Sequence, residues 1–327
     1  MSASLRVVFL DAATLHREGD VSFEPFFGRW DCDFHEVTRP DETALRVKGA
    51  EVAVTNKVVF DAGVLASGEA ERLKLIAVAA TGTNNIDLDA ARRRGIAVAN
   101  VAGYSSSSVA EHAFALILSL SYHIGDYAHE TREGVWSRSP MFVSLNHTTR
   151  ELNGKTLGLI GFGDIGKRVA RLAEACGMRV LYNTRRKVAD AGSARHVQLD
   201  ELLAQSDVIS VHCPLTDETR DLIGPAQLVA MKPGALLINT ARGGIVNEQA
   251  LVEALDSGRL AGAGVDVLTQ EPPPETHPLV VAARSRPNLL ITPHVAWTTI
   301  EARRRLVDEL YENIAAFERG ERRNRVD

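Results

Sequence analysis

Short runs of consecutive apolar residues alternate along the chain with longer segments whose apolar positions recur at helical spacing. The runs are LRVVFLD (5–11), EVAVTN (51–56), LKLIAVAA (73–80), IAVANV (96–101) and TLGLIGFG (156–163). They continue with MRVLYNT (178–184), DVISVHC (207–213), ALLINTA (235–241), AGAGVDV (261–267) and NLLITPH (288–294). Stretches such as LLIN and VISV are apolar at successive positions, the pattern of strands buried on both faces. Between the runs, Asn247 precedes EQALVEALDS and Gly258 follows it, a helix with a cap and a stop. Asp61 caps another, predicted to end before Lys74. Strand–helix alternation predicts a parallel α/β architecture.

Ten strands are many for one open sheet of this chain length, so the pattern predicts two. The division is placed near residue 101, before a long apolar helix at 105–124. The last helix, about 299–318, has Ile300, Leu306, Leu310, Ile314 and Phe317 on one stripe. It follows the final strand and is placed to return to the first domain, which both chain ends would then build. At roughly 150 residues per domain, 327 residues also predict two. A hydrophobic fraction of 45% and a charged fraction of 24% exclude a disordered chain. The balance of 37 basic against 42 acidic residues, net −5, argues against a nucleic-acid partner.

The apolar run AFALILSL (113–120) is too short to cross a bilayer. The N-terminal sequence shows no basic leader and cleavage site, so a cytoplasmic protein is expected. Cys32, Cys176 and Cys213 form no CxxC and are expected as reduced, buried thiols. His112 and His123 on the apolar helix are read as core or interface residues. The 303–305 arginine run is read as solvated.

The sharpest local signal is Gly161-Phe-Gly163-Asp-Ile-Gly166, which follows a strand and precedes a helix. Gly161 permits the tight turn, Gly163 lets the backbone approach a pyrophosphate, and Gly166 lets helix and strand pack closely. The helix N-terminus then offers free N–H groups to the phosphates. An acid at the end of the next strand would select NAD. This chain has Thr184-Arg185-Arg186-Lys187 there instead. The sequence leans to NADP(H), with Thr184, Arg185 and Arg186 on the 2′-phosphate. A solvated basic turn in an enzyme preferring NAD(H) stays open beside it.

Three further strand ends carry charge. Arg242 follows ALLINTA, Asp266 lies in AGAGVDV with Glu271 five positions on, and His294 ends NLLITPH. Ligands of open parallel sheets bind outside the carboxyl ends of strands, so these residues are expected around one crevice. Hydride exchange between a 2-hydroxy acid and a nicotinamide needs a proton donor and acceptor, for which histidine is suited. A neighbouring carboxylate stabilises the imidazolium. Arginine binds a carboxylate through forked hydrogen bonds.

These motifs resemble the D-2-hydroxyacid dehydrogenase family. The matching pieces are VAATGTNNID (78–87), VAEHA (109–113), LNGKTLGLIGFGDIG (152–166), SDVISVHCPLTDETR (206–220), MKPGALLINTARGGIVNEQAL (231–251), GAGVDVLTQEPP (262–273) and ITPHVAW (291–297). TGTNNID, HVAW and WSRSPMF (136–142) look most like the glycerate dehydrogenase or hydroxypyruvate reductase branch. The resemblance implies a Rossmann cofactor domain (102–297) inserted in a flavodoxin-like substrate domain (1–101 plus 298–327), two parallel-sheet domains around a cleft. It implies that Arg242 binds the substrate carboxylate, His294 exchanges the proton, and Glu271 holds His294. It places the Ala80, Thr81 and Gly82 amides on the carboxylate. Asp164, Ile165, Pro214, Thr216, Thr240 and Ala241 line the cofactor, Asp266 meets the nicotinamide side, and Ser108 reaches the pyrophosphate side.

Asn56 is read either as a contact for the hydroxymethyl end of the substrate or as a turn residue. Trp136 either reaches a partner's active site or packs in an interface. The resemblance also disfavours formate, since family members acting on formate usually carry glutamine where Glu271 stands. The resemblance and the apolar helix imply a homodimer. Expected substrates are hydroxypyruvate or glyoxylate, reduced to a D-2-hydroxy acid. A bulkier keto acid, or a nucleotide-sensing binding module, is the alternative.

Overall fold

The computed structural model describes residues 4–327. Internal contacts divide them into two compact units. One runs to Ser105 and resumes over Thr298–Asp327; the other is Ser106–Trp297. Both sheets are parallel throughout.

The first unit carries β1 (Arg6–Phe9), β2 (Asp31–Phe34), β3 (Val52–Thr55), β4 (Leu75–Val78) and β5 (Ala97–Ala99), in the order β2-β1-β3-β4-β5. Strand order reverses between β1 and β3, so a crevice opens where the loops after these two strands part. Val8, Ala53, Ile76, Val78 and Val98 form part of the core, with Leu65 and Ala91 from the covering helices. The helix Ile300–Glu318 starts at Thr299, whose hydroxyl accepts from the Ala302 amide at 3.3 Å. It buries Leu306, Leu310 and Ile314 as the stripe predicts, whereas Ile300 stays 41% exposed in its first turn. Arg303 departs from the solvated reading. Helical spacing puts it on the buried face with Leu306 and Leu310, where it holds Asp20 through bonds of 2.7 and 2.5 Å.

The second unit carries β6 (Thr156–Ile160), β7 (Arg179–Asn183), β8 (Arg195–His196), β9 (Val208–Val211), β10 (Ala235–Asn239), β11 (Leu260–Val265) and β12 (Leu289–Ile291). Their order is β12-β11-β10-β9-β6-β7-β8, reversing between β6 and β9. One core cluster includes Leu202, Leu237 and Leu251; another includes Ile117, Leu157, Val169 and Tyr182. The apolar helix is Ser106–Tyr122, and it lies so close to β11 that a Cβ on Gly264 would stand 3.0 Å from Leu116. It breaks at His123, which takes a left-handed conformation, and a second helix runs over Ile124–Arg132.

β2 and β8 escaped the hydrophobic pattern. Both lie at sheet edges, and both carry exposed polar residues. The Asn247 cap accepts from the Ala250 amide at 3.0 Å. Asp61 caps at Val64, but its helix is only Ala62–Ala66, with a separate turn at Gly68–Ala70. Among the described residues no helix is long and apolar enough to cross a membrane. The three cysteines are free and half-buried. Burial pushes the Cys32 and Cys213 thiols up to about 11.

Candidate active site

The glycine loop leaves β6 at the point where the strand order of the larger sheet reverses. Gly161 has φ +97°, and a Cβ there would lie 2.5 Å from the carbonyl oxygen of His212 after β9. A Cβ on Gly166 would fall 2.6 Å from the Gly161 carbonyl. Gly163 differs: its Cβ would meet open space. It stands at the N-cap of helix Asp164–Ala175 without a side-chain cap, so the first-turn amides at Asp164, Ile165 and Gly166 are presented to a ligand. At the end of β10 the Thr240 hydroxyl is buried without a hydrogen-bond partner. An open glycine, uncapped helix amides and an orphaned buried hydroxyl fit a dinucleotide laid across these strand ends.

Beyond β7, the Thr184 hydroxyl donates to the Arg186 carbonyl at 2.7 Å and closes a tight turn. Arg185 lies 3.5 Å from Glu218, an exposed pair worth little to either side. Arg186 and Lys187 are exposed. No acid occupies the Thr184 position. After β9, Pro214 and Thr216 belong to a knot in which Thr219 Oγ1 donates to the Pro214 carbonyl and accepts from the Thr216 amide. His212 Nε2 lies 2.8 Å from the Ser210 hydroxyl, and burial pushes this ring down to about 4.

β10, β11 and β12 are neighbours, so Arg242, Asp266 and His294 leave one sheet end within about 10 Å. The Asn239 side chain shapes the first turn, accepting from the Ala241 amide and donating to the Arg242 carbonyl. Arg242 Nη1 donates to the Ala241 carbonyl at 2.7 Å. His294 sits at φ +55°, a region L residues seldom adopt. Its amide donates to the carbonyls of Asp266 and Thr292, both at 2.9 Å. Its Nδ1 lies 2.6 Å from Glu271 Oε2, while Glu271 Oε1 accepts from the Leu268 amide at 2.8 Å. A proton on Nδ1 shared with the carboxylate leaves Nε2 for the reacting atom.

Three of the candidate residues also hold the chain itself. Asp266 is 2% exposed, and its carboxylate accepts from the Thr292 hydroxyl (2.6 Å) and the Val295 and Ala296 amides (2.9 Å each). It braces the 292–296 turn. Ser108 is buried and donates to the Ala296 carbonyl at 2.5 Å, supporting the same turn. Asn56 is 3% exposed and its side-chain amide donates to the Thr14 hydroxyl at 3.1 Å. The 56–58 backbone is held by the Asp11 carboxylate, 2.6 Å from the Lys57 amide. Burial raises the Asp11 pKa against the lowering effect of these amide bonds.

Sequence reading missed two supports. His112 Nε2 lies 2.9 Å from Thr292 Oγ1, on the same turn. Glu248, in the first turn of the Asn247-capped helix, accepts from the Thr269 amide and hydroxyl and lies 3.1 Å from His277 Nε2. It thereby fixes the loop bearing Glu271. Neither contact has a local signal, since each joins residues more than twenty positions apart. In the first unit, Thr81 and Ala80 are tied to residues 100–101: Thr81 Oγ1 donates to the Val101 carbonyl and the Val101 amide to the Ala80 carbonyl. Among the described residues no protein group accepts from the Thr81 and Gly82 amides.

Residues 114–296 match the family described as D-isomer specific 2-hydroxyacid dehydrogenase, NAD binding domain. A glycerate dehydrogenase of Methylorubrum extorquens is 42% identical over 324 residues, covering 98% of this chain and 99% of the relative. A hydroxypyruvate reductase of Blautia hydrogenotrophica is 36% identical over 321 residues, covering 97% and 98%. The crystal structure of a D-lactate dehydrogenase from Aquifex aeolicus, complexed with NAD and lactic acid, superposes with a TM-score of 0.83 at 32% identity. It covers 96% of both chains.

Proposed function

Since the chain belongs to the D-isomer specific 2-hydroxyacid dehydrogenases, oxidoreductases that use a nicotinamide cofactor, we propose that it reduces hydroxypyruvate and glyoxylate with NADPH. The observation that carries the chemistry is the Glu271–His294 pair at 2.6 Å, one strand end away from Asp266 and two from Arg242. When bound, the reduced nicotinamide supplies a hydride to the carbonyl carbon. Arg242 holds the substrate carboxylate and polarises the keto oxygen. His294 gives that oxygen a proton from Nε2 and takes it back in the reverse direction. Glu271 stabilises the imidazolium through Nδ1 and keeps the ring in one orientation. On the first unit, the amides of Thr81 and Gly82 are assigned to the substrate carboxylate, with Ala80 shaping their turn.

The glycine loop takes the pyrophosphate, and Thr240 and Ala241 line the cofactor. The absence of an acid after β7 and the uncommitted Arg186 support NADPH, with Arg185 beside it. The names of the two relatives, a glycerate dehydrogenase and a hydroxypyruvate reductase, support a small substrate. A homodimer is part of the same reading, supported by the exposed apolar side chains of Trp136 and Phe142.

Initial rates with each cofactor, against hydroxypyruvate, glyoxylate, pyruvate and phenylpyruvate, test this. Hydroxypyruvate or glyoxylate with NADPH is expected to give the highest kcat/KM. Replacing Arg185 and Arg186 by alanine should cut the NADPH preference by about tenfold or more, at roughly 1.5–3 kcal/mol per charged hydrogen bond. His294→Ala should abolish turnover while cofactor binding persists. A dominant NADH preference discards the phosphate site; preference for phenylpyruvate discards the substrate assignment; unchanged turnover in His294→Ala discards the mechanism.

A further inference from the structure

Where the apolar helix breaks, two imidazoles and two carboxylates gather that the proposed reaction does not use. His123 stands in the left-handed region (φ 51°) between the helices Ser106–Tyr122 and Ile124–Arg132. Its Nδ1 lies 2.8 Å from Asp126 Oδ2. The ring of His147 stacks on it, centroids 5.0 Å apart and planes at 18°. Tyr127 closes the edge of the His147 ring at 4.9 Å. One ligand atom each from His123, Asp126 and His147 lie within 4.8 Å of one another.

We propose that His123, Asp126 and His147 form a binding site for a divalent transition-metal ion of the zinc class. Around a tetrahedral zinc the nitrogen and oxygen ligands stand about 3.3 Å apart. The observed separations, from 2.8 Å up to the 4.8 Å limit, bracket that figure, so closing on an ion takes shifts of about 1 Å. The donor set decides the kind of ion. Two imidazoles and one carboxylate suit zinc and its neighbours and do not suit magnesium or calcium, which take oxygen ligands. The fourth position is left to water.

His147 is itself held by a carboxylate. Glu130 Oε1 lies 2.8 Å from Nε2 of His147, the arrangement by which a carboxylate fixes the tautomer of a ligating histidine and frees its other nitrogen. The Asn146 side chain donates to the other Glu130 oxygen at 3.0 Å. The side chains of His123, Asp126 and His147 are 22%, 19% and 21% exposed, shielded yet reachable from water.

The ion would join the two ends of the 123–147 segment, the stretch that carries Trp136 and Phe142. Metal binding would therefore order that segment as well as occupy the site.

Equilibrium dialysis of the full chain against zinc chloride tests the proposal, beside Asp126→Asn, His147→Gln and His294→Ala. About one zinc per chain is expected. Affinity should fall at least tenfold in Asp126→Asn and His147→Gln and persist in His294→Ala. Magnesium should not compete. With zinc bound, trypsin should cut the 123–147 segment at Arg132 and Arg138 more slowly, and melting temperature should rise with zinc concentration. In chelator, the 126 and 147 variants should melt as the parent does and keep its turnover. If either variant fails to fold, His123→Gln replaces it. Zinc retained by both variants, zinc lost in His294→Ala, or no zinc bound at about 100 μM overturns the site and leaves the four residues as ion pairs only.

Discussion

His294 holds its ring at a backbone conformation that costs on the order of 1–3 kcal/mol for an L residue. The cost is met by over-determination: two carbonyls take its amide, and the Asp266 carboxylate takes the next two amides. Asp266→Asn would turn one acceptor into a donor facing an N–H. A loss of about 1–3 kcal/mol in stability is expected, with a fall in kcat larger than any change in cofactor affinity. Denaturant melts and steady-state rates measure both; an unperturbed kcat would remove Asp266 from the positioning of His294. His212 gives a pH prediction. Burial lowers its pKa from 6.5 to about 4, so between these values the unfolded chain binds a proton that the folded chain refuses. Stability is full above pH 6.5, falls as pH drops toward 4, and is lower by roughly 3 kcal/mol at most from this group. His212→Gln should flatten that part of the stability profile, and an unchanged slope would show that another group sets it.

At the scale of the element, the loop from β6 to its helix is fixed from both sides. Gly161 is pressed against the strand end after β9, and Gly166 against Gly161. Gly161→Ala combines a positive φ with a backbone clash, so neither side can yield by rotating a side chain. Thermal unfolding should drop by several degrees, consistent with a few kcal/mol, and nicotinamide binding should weaken together with it. A variant of parental stability and affinity would refute the close packing. The Glu271 loop is secured differently, by Glu248 in the first turn of a neighbouring helix. Edge strands are the weak point of sequence patterning. β2 and β8 present one side to solvent, and their residues carry no apolar run to betray them.

For the whole molecule, exposed apolar side chains concentrate in one stretch. Phe142 is 90% exposed, Leu145 77%, Met141 56% and Trp136 51%. This apolar surface, gathered in ten residues, supports the proposed homodimer. Phe142→Asp is expected to weaken self-association at least tenfold in equilibrium sedimentation while each chain keeps its fold and its core. A parent protein that sediments only as a monomer would dispose of the homodimer.

The buried strands, the two-sheet division, the glycine loop and the Arg242, Glu271 and His294 strand ends were legible because each is a local pattern. Double-sided burial writes itself as consecutive apolar residues, and a phosphate-binding turn as spaced glycines. What local pattern cannot carry is which polar group meets which. Asp266, Ser108 and Asn56 each bond a group at least thirty positions away, which no local pattern announces. Arg303 looked solvated until the helix face paired it with Asp20. His123 and His147, twenty-four positions apart, stack only because the apolar helix ends where it does. Sequence alone determined the buried strands and which charged residues stand beyond their ends. Only tertiary structure decided the partners of buried polar groups, since a desolvated donor or acceptor must find its match wherever the chain has folded it.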